Sequence, residues 1–206
     1  MTKAIIFDLW ETLGTKNIGI SKTLRDKFHI KKTSNFLVKY ERSIQLKEYG
    51  SYKELSENFL KNFSIKPTES NINFVINTLK QGINKASLFE GMYELVEYLS
   101  KEYDLGILSN TTCFESQVAT NLRINKFFKA QIYSCQIGSI KPNHLTFEAI
   151  CNVLAVSPNE AIFIDDGKKN IVAAKKFGLT GIQYKNINQL KKELASYHIN
   201  IPSNCK

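Results

Sequence analysis

Three short apolar runs in this 206-residue chain each end in residues able to do chemistry. Ala4-Ile5-Ile6-Phe7 runs into Asp8, Leu105-Gly106-Ile107-Leu108 into Ser109-Asn110, and Ala161-Ile162-Phe163-Ile164 into Asp165-Asp166. Neighbouring parallel strands would deliver these groups to one edge of a sheet, where open α/β sheets bind their ligands. Asp8, Asp165 and Asp166 would then crowd together, and like charges that close force at least one carboxylate to stay protonated. A bound cation resolves the conflict, and oxygen ligands completed by water suit Mg²⁺. Lys141, in the turn Gly138-Ser139-Ile140-Lys141-Pro142, can bring a fixed positive charge to the same pocket. Taken singly each feature is ordinary: an Asp after a strand forms turns and a Ser-Asn pair caps helices. Their order at successive strand ends is what points to a site.

The elements that must position these groups fall into two patterns. From Gly91 onward helices and strands alternate: helix from Met92 to Ser100, strand from Tyr103 to Ser109, helix from Phe114 to Leu122, strand from Gln131 to Ser134. Helix from His144 to Leu154, strand from Ala161 to Ile164, helix from Asn170 to Phe177 ended by Gly178, strand from Gly181 to Tyr184 and helix from Asn188 to Ser196 follow. With a first strand from Lys3 to Phe7, this alternation predicts an α/β fold, a Rossmann-like parallel sheet with helices on both faces. Between the first strand and this region the chain is polar and rich in Lys, Asn, Glu and Ser. Its apolar residues recur at helical spacing: Phe36, Leu37, Tyr40 and Ile44; Leu55, Phe59, Leu60 and Phe63; Phe74, Val75, Ile76 and Leu79. Pro67-Thr68-Glu69 reads as a turn between two of these helices. The expected organisation is therefore a core of residues 1–14 and 88–206 split by a helical insertion at 15–87.

Composition narrows the function classes. Hydrophobic residues are 43% and charged residues 23%, ordinary values for a globular chain. No apolar run approaches the roughly 18–20 residues of a membrane span, and Asp8 interrupts the first run too early for a signal peptide; a cytoplasmic location is expected, with no membrane partner. The four cysteines, Cys113, Cys135, Cys151 and Cys205, form no CxxC pair and are expected as free thiols. His29, His144 and His198 show no metal-ligand spacing. The net charge is +9, but the lysines are scattered as pairs such as Lys31-Lys32 and Lys175-Lys176, which reads as solvated helix faces and not as a specific nucleic-acid surface.

The order Asp8-Leu9-Trp10-Glu11-Thr12-Leu13, Ser109-Asn110, Lys141-Pro142 and Asp165-Asp166 resembles the four motifs of haloacid dehalogenase-like hydrolases. The third motif extends through Thr146-Phe147, the fourth through Asn170, Ala173-Ala174 and Gly178. The resemblance implies that Asp8 is the nucleophile, attacking phosphorus to give an aspartyl-phosphate. It implies that Thr12 orients Asp8 and its loop, that Ser109 and the Asn110 amide bind a phosphoryl oxygen, and that Lys141 holds the phosphoryl group beside Asp8. Asp165 and Asp166, with Asp8 and the Trp10 carbonyl, would hold Mg²⁺, and the insertion would be the family's α-helical cap. The implied partner is a small phosphorylated molecule, bound by a monomer or homodimer.

One position departs from the pattern. Phosphatases of this family carry a second Asp two residues after the nucleophile, which protonates the leaving group. Here that position is Trp10, whose indole cannot do acid–base chemistry worth roughly 10²–10⁴-fold in rate. A phosphatase with a good leaving group, or with Glu11 or water as substitute, is one reading. A 2-haloacid dehalogenase is another: that subfamily resembles this chain in its aromatic residue at the Trp10 position, halide needs no proton, and Arg42 could bind it. Yet dehalogenases lack the first metal carboxylate that this chain keeps. A third reading is a non-catalytic member binding an anion or a partner. For substrate contact the sequence offers Trp10, Arg42 and Asn110. Tyr40, Lys47 and Tyr49 are better explained by core packing or solvation.

Overall fold

The computed structural model describes residues 1–202, so Cys205 lies outside the described residues. In chain order the strands are β1 (Ala4–Phe7), β2 (Gly14–Thr15), β3 (Ser87–Leu88), β4 (Asp104–Ser109), β5 (Ala130–Tyr133), β6 (Ala161–Asp165) and β7 (Thr180–Gln183). The helices are α1 (Ile20–Lys27), α2 (Phe36–Ile44), α3 (Tyr52–Asn62), α4 (Glu69–Asn84), α5 (Met92–Leu99), α6 (Val118–Asn121), α7 (Ser134–Ile137), α8 (His144–Leu154), α9 (Lys168–Phe177) and α10 (Ile187–Ser196).

Five strands form one parallel sheet in the order β5-β4-β1-β6-β7. Alternation along each strand splits the core in two, as a sheet covered on both faces requires. Ile5 and Phe7 of β1, Leu105 and Ile107 of β4, and Ile162 and Ile164 of β6 pack on one face with Met92, Leu95 and Leu99 of α5 and Leu190 and Leu194 of α10. Ala4, Ile6, Leu108, Ala161 and Phe163 point the other way, onto Phe147, Ile150 and Leu154 of α8 and Ile171 and Ala174 of α9. This is the Rossmann-like α/β fold that the sequence pattern predicts.

Helices α1 to α4 build a separate apolar cluster from Leu24, Tyr40, Ile44, Leu55, Phe59, Leu60, Val75 and Leu79. Their ends follow local chemistry: the Ser51 hydroxyl accepts the Glu54 N–H at 3.1 Å to start α3, and Thr68 accepts the Asn71 N–H at 3.3 Å to start α4. Tyr52 stacks on Phe114 at 3.9 Å between ring centroids, and the Tyr49 N–H lies 3.4 Å from Cys113 Sγ, so the helical cluster touches the loop after β4.

The chain enters and leaves the helical segment through a two-stranded antiparallel ribbon, β2 against β3, with Gly14 opposite Leu88 and Thr15 opposite Ser87. A Cβ at Gly14 would lie 2.4 Å from the Ser87 carbonyl oxygen, so only glycine lets the two passes approach this closely.

Two expectations are corrected. The helix expected over Phe114–Leu122 is reduced to α6, Val118–Asn121, because Thr111, Thr112 and Lys16 draw this segment into turns around Glu115. Leu37, counted in the apolar stripe of its helix, is 58% exposed, while Phe36, Tyr40 and Ile44 turn inward. Among the described residues Cys113, Cys135 and Cys151 are free thiols, and no helix is long and apolar enough to cross a membrane.

Candidate active site

Strands β4, β1 and β6 are adjacent, so their carboxyl ends bring Ser109, Asp8 and Asp165 side by side. Asp8 follows β1 with its N–H still bonded to the Ile164 carbonyl at 2.9 Å. The next residues tighten at once: the Leu13 and Gly14 N–H groups both return to the Leu9 carbonyl, at 3.1 and 3.0 Å. Leu9 and Leu13 are fully buried, which fixes this loop to the core beneath it.

Lys141 is the hub of the site. Its ammonium reaches Asp8 Oδ1 at 2.8 Å, Asp165 Oδ2 at 2.7 Å and the Leu108 carbonyl at 2.8 Å. Asn110 clasps the Lys141 backbone, accepting its N–H at 2.8 Å and donating to its carbonyl at 3.2 Å. The side chain of Asn110 thus holds the turn that presents the lysine. Asp165 also accepts the Gly167 N–H at 2.7 Å on Oδ1, and Asn170 Nδ2 at 3.0 and 3.1 Å on its two oxygens. Three donors making four contacts nearly fill the carboxylate's acceptor capacity. Asp165 therefore anchors both Lys141 and the start of α9, and a cation bound there would displace one of those donors.

Thr12, fully buried, accepts the Asp166 N–H at 3.1 Å, so it ties the loop after β1 to the acidic loop after β6. Its hydroxyl works on that second loop and not on the Asp8 carboxylate. The Ser109 hydroxyl is 1% exposed as a residue and has no hydrogen-bond partner among the described residues.

Asp8, Asp165 and Asp166 each offer an oxygen within 4.8 Å of the others. Burial, opposed by Lys141 and reinforced by Asp165, pushes the Asp8 carboxyl up to about 7. Partial burial and then the Asp165 charge push Asp166 up to about 6. Burial works against the Lys141 charge, yet Asp165 and Asp8 together hold its pKa above the ordinary 10.5. One ammonium is thus set against three carboxylates, and the all-oxygen donor set fits a hard divalent cation.

A cavity of about 470 Å³ opens over these groups, walled by Asp8, Trp10, Asn110, Lys141, Asp166 and Asn170 from the core and by Leu37, Val38 and Glu41 of α2. Arg42 is exposed and lines a neighbouring cavity of about 380 Å³ instead, so it does not stand over Asp8. Glu11 has a positive φ of 58° and its carboxylate accepts the Thr15 hydroxyl at 2.7 Å, away from this cavity's wall. Tyr40 and Tyr49 are buried, and Lys47 pairs with Glu54 at 3.0 Å outside the site.

Trp10 is more than a filler. Its indole N–H donates to Thr111 Oγ1 at 3.2 Å, and the Lys16 ammonium lies 4.4 Å from its ring centroid. The Thr111 and Thr112 hydroxyls and the Thr112 N–H all donate to Glu115 Oε2, and Lys16 pairs with Oε1. Glu115 is 1% exposed, so this network buries a charge pair between the loop after β1, the start of the helical segment and the loop after β4. Burial raises the Glu115 carboxyl, but Lys16 and the donated hydrogen bonds outweigh it and leave the pKa below the ordinary 4.5. Its stabilisation is therefore present above that value and disappears as pH falls through the lower, folded one. Glu115→Gln should cost about 3 kcal/mol by stranding Lys16, read as a fall in the midpoint of urea unfolding at pH 7. An unchanged midpoint would show the network to be energetically idle.

Comparisons with known proteins show the family and the fold. Residues 5–183 match the family model of the haloacid dehalogenase-like hydrolases. Flavin mononucleotide hydrolase 1 of Arabidopsis thaliana is 25% identical over 146 residues, 70% of this chain and 58% of that protein's length. The chain therefore spans little more than half of that curated relative. Among solved structures, a predicted HAD-like family hydrolase from Porphyromonas gingivalis superposes with a TM-score of 0.69 at 21% identity, covering 96% of this chain and 98% of that one. A HAD family enzyme from Bacteroides thetaiotaomicron, solved with magnesium and inorganic phosphate, gives 0.65 at 18% identity, covering 90% and 95%. With the family model spanning most of its length and the motifs meeting at one sheet edge, this chain belongs to the haloacid dehalogenase-like hydrolases.

Proposed function

We propose that the protein is a Mg²⁺-dependent phosphatase of small phosphorylated molecules, working through an aspartyl-phosphate on Asp8. The observation that carries this reading is the Lys141 ammonium held between Asp8 and Asp165, at the sheet edge where β4 also ends in the unpartnered, buried Ser109 hydroxyl. A nucleophile, a fixed cation and a spare donor on one sheet edge make a receptor for a tetrahedral anion. The relative named for flavin mononucleotide hydrolysis and the neighbour crystallised with magnesium and phosphate support the same chemistry.

Asp8 Oδ1 is occupied by Lys141 and by the Leu9 N–H at 2.7 Å, which leaves Oδ2 as the attacking oxygen. Lys141 and Ser109 hold the phosphoryl oxygens as charge shifts onto them, the main task in this transfer. Asp8, Asp166 and Asp165, with the Trp10 carbonyl, would hold Mg²⁺, which would supply further charge neutralisation when bound. Residues 15–87 serve as a cap. Its Leu37 and Val38, 58% and 42% exposed, face the cavity with Trp10 and favour a substrate whose leaving group carries apolar surface. Halide displacement from a 2-haloacid has less support, since Arg42 is not in the cavity wall and both Asp165 and Asp166 are present.

The test is hydrolysis of p-nitrophenyl phosphate and acetyl phosphate with Mg²⁺ and with chelator. Turnover that requires Mg²⁺ is expected on both. If neither is hydrolysed while 2-chloropropionate releases chloride, the dehalogenase reading replaces this one; inertness toward all three leaves a binding protein.

A further inference from the structure

The cavity wall holds one acid for which the reading above has no use. Glu41 sits on α2 one turn after Leu37 and Val38, and the three line the cavity together. Of the residues lining it, Asp8, Asp166 and Glu41 carry carboxylates; the first is the nucleophile and the second a metal ligand. Glu41 is half-buried and shares the cavity wall with Asn110, the residue whose side chain clasps Lys141. It therefore approaches the site from the helical side, opposite the strand end that supplies Asp8.

We propose that Glu41 is the general acid and base of this enzyme, doing from α2 what Trp10 cannot do from the nucleophile loop. The inference rests on the phosphatase reading. In the first step Asp8 Oδ2 forms a bond to phosphorus while the bond from phosphorus to the leaving oxygen breaks. The Glu41 carboxylic acid gives its proton to that oxygen, releasing an alcohol and leaving Glu41 as carboxylate. In the second step Glu41 takes a proton from water, the resulting hydroxyl oxygen bonds to phosphorus, and the bond to Asp8 breaks. Phosphate leaves, and Glu41 is again protonated.

The surroundings suit a group that must begin protonated. Burial raises the Glu41 carboxyl above its ordinary 4.5, and the Asp165 charge adds to this. The Asn110 side chain and the charges of Lys141 and Lys16 act in the opposite sense. Arg42 on the same helix and Lys168 and Lys169 on the cavity rim are the other charged groups nearby. Placing the acid on the cap also makes proton transfer depend on closure, because an open cap would carry Glu41 away from Asp8.

The experiment is a leaving-group series of aryl phosphates, from p-nitrophenyl to phenyl, with Mg²⁺, on wild type, Glu41→Gln and Glu41→Asp. In Glu41→Gln, kcat/KM is expected to fall less than about tenfold for p-nitrophenyl phosphate but about 10²-fold or more for phenyl phosphate, since only the poorer leaving group needs the proton. The steady state should then follow a burst of nitrophenol, because the second step has lost its base. Glu41→Asp should recover part of the phenyl phosphate rate, and thermal melts establish that each variant is folded. An equal loss across the series, or none, overturns the proposal while leaving the phosphatase reading intact. A wild type inert toward every aryl phosphate overturns that reading, and this inference with it.

Discussion

In Asp8→Asn, turnover of p-nitrophenyl phosphate should fall by about 10⁴-fold or more, the scale of loss when a covalent nucleophile is removed, while the metal-free protein becomes more stable. The two effects share a cause. Burial first, and the Asp165 and Asp166 charges after it, hold the Asp8 carboxyl near 7 despite Lys141, against an ordinary value of 3.8. A group raised in the folded state contributes stability that is fully present below its unfolded value and is lost as pH rises through the folded one. Chelated wild type should therefore lose stability as pH climbs from 3.8 toward about 7. Asparagine has the same shape and no proton to lose, so the variant escapes that penalty. At pH 8 in chelator Asp8→Asn should melt above wild type, by about 2–4 °C for each kcal/mol relieved in a chain of this size. Saturating Mg²⁺ should reverse the order, because only wild type offers all the ligands and a cation stabilises the state that binds it. Residual turnover close to wild type would remove Asp8 as nucleophile. A variant melting below wild type at pH 8 in chelator would mean that the Lys141 pair outweighs burial.

The strand ends were legible in sequence because each states its case locally: an apolar run of four residues, then an acid or a hydrogen-bonding pair. The alternation from Gly91 onward predicts the parallel sheet, while the adjacency of the strands that carry Ser109, Asp8 and Asp165 is supplied by the fold. What stayed hidden depends on contacts between distant residues. Trp10 meets Thr111 across 101 positions and Lys16 meets Glu115 across 99, and nothing in either segment announces the other. The β2–β3 ribbon is two residues on each side, below the length at which alternation can be seen. Nothing in the sequence singles out Glu41, which stands next to Arg42 on the same helix. Only the packing of α2 over the sheet edge turns one of these neighbours into the cavity and leaves the other outside. Glu11, next to Trp10 in sequence, is a substitute acid that the sequence offers beside water, but its backbone turn carries it to Thr15. Proximity in sequence to a missing group was a poor guide, because the missing group's target is approached from two sides.

Lys141→Met should damage rate and stability together, which separates its role from that of Asp8. The ammonium is 1% exposed and has three oxygen partners within 2.8 Å. Its pKa is held above 10.5 although burial pulls downward, so its stabilisation is present across the neutral range and is lost only as pH rises past the folded value. Methionine fills the space but leaves Asp8 and Asp165 facing each other without a counter-charge. Removing one partner of a buried pair costs about 3–5 kcal/mol, which for this length is a drop of roughly 10 °C in melting temperature. Turnover should fall by about 10²–10³-fold, as when one preorganised donor to the transferring group is lost. Adding Asp165→Asn should return part of the stability, because it removes the stranded charge, and none of the activity, because the phosphoryl group still lacks its cation. The coupling between the two positions, read from the double-mutant cycle, should then be large for stability and near zero for rate. Lys141→Arg should not substitute: a planar guanidinium cannot place one nitrogen against Asp8, Asp165 and the Leu108 carbonyl at once. A Lys141→Met protein that melts with wild type and keeps its rate would show that the ion pairs drawn to this lysine contribute to neither folding nor chemistry.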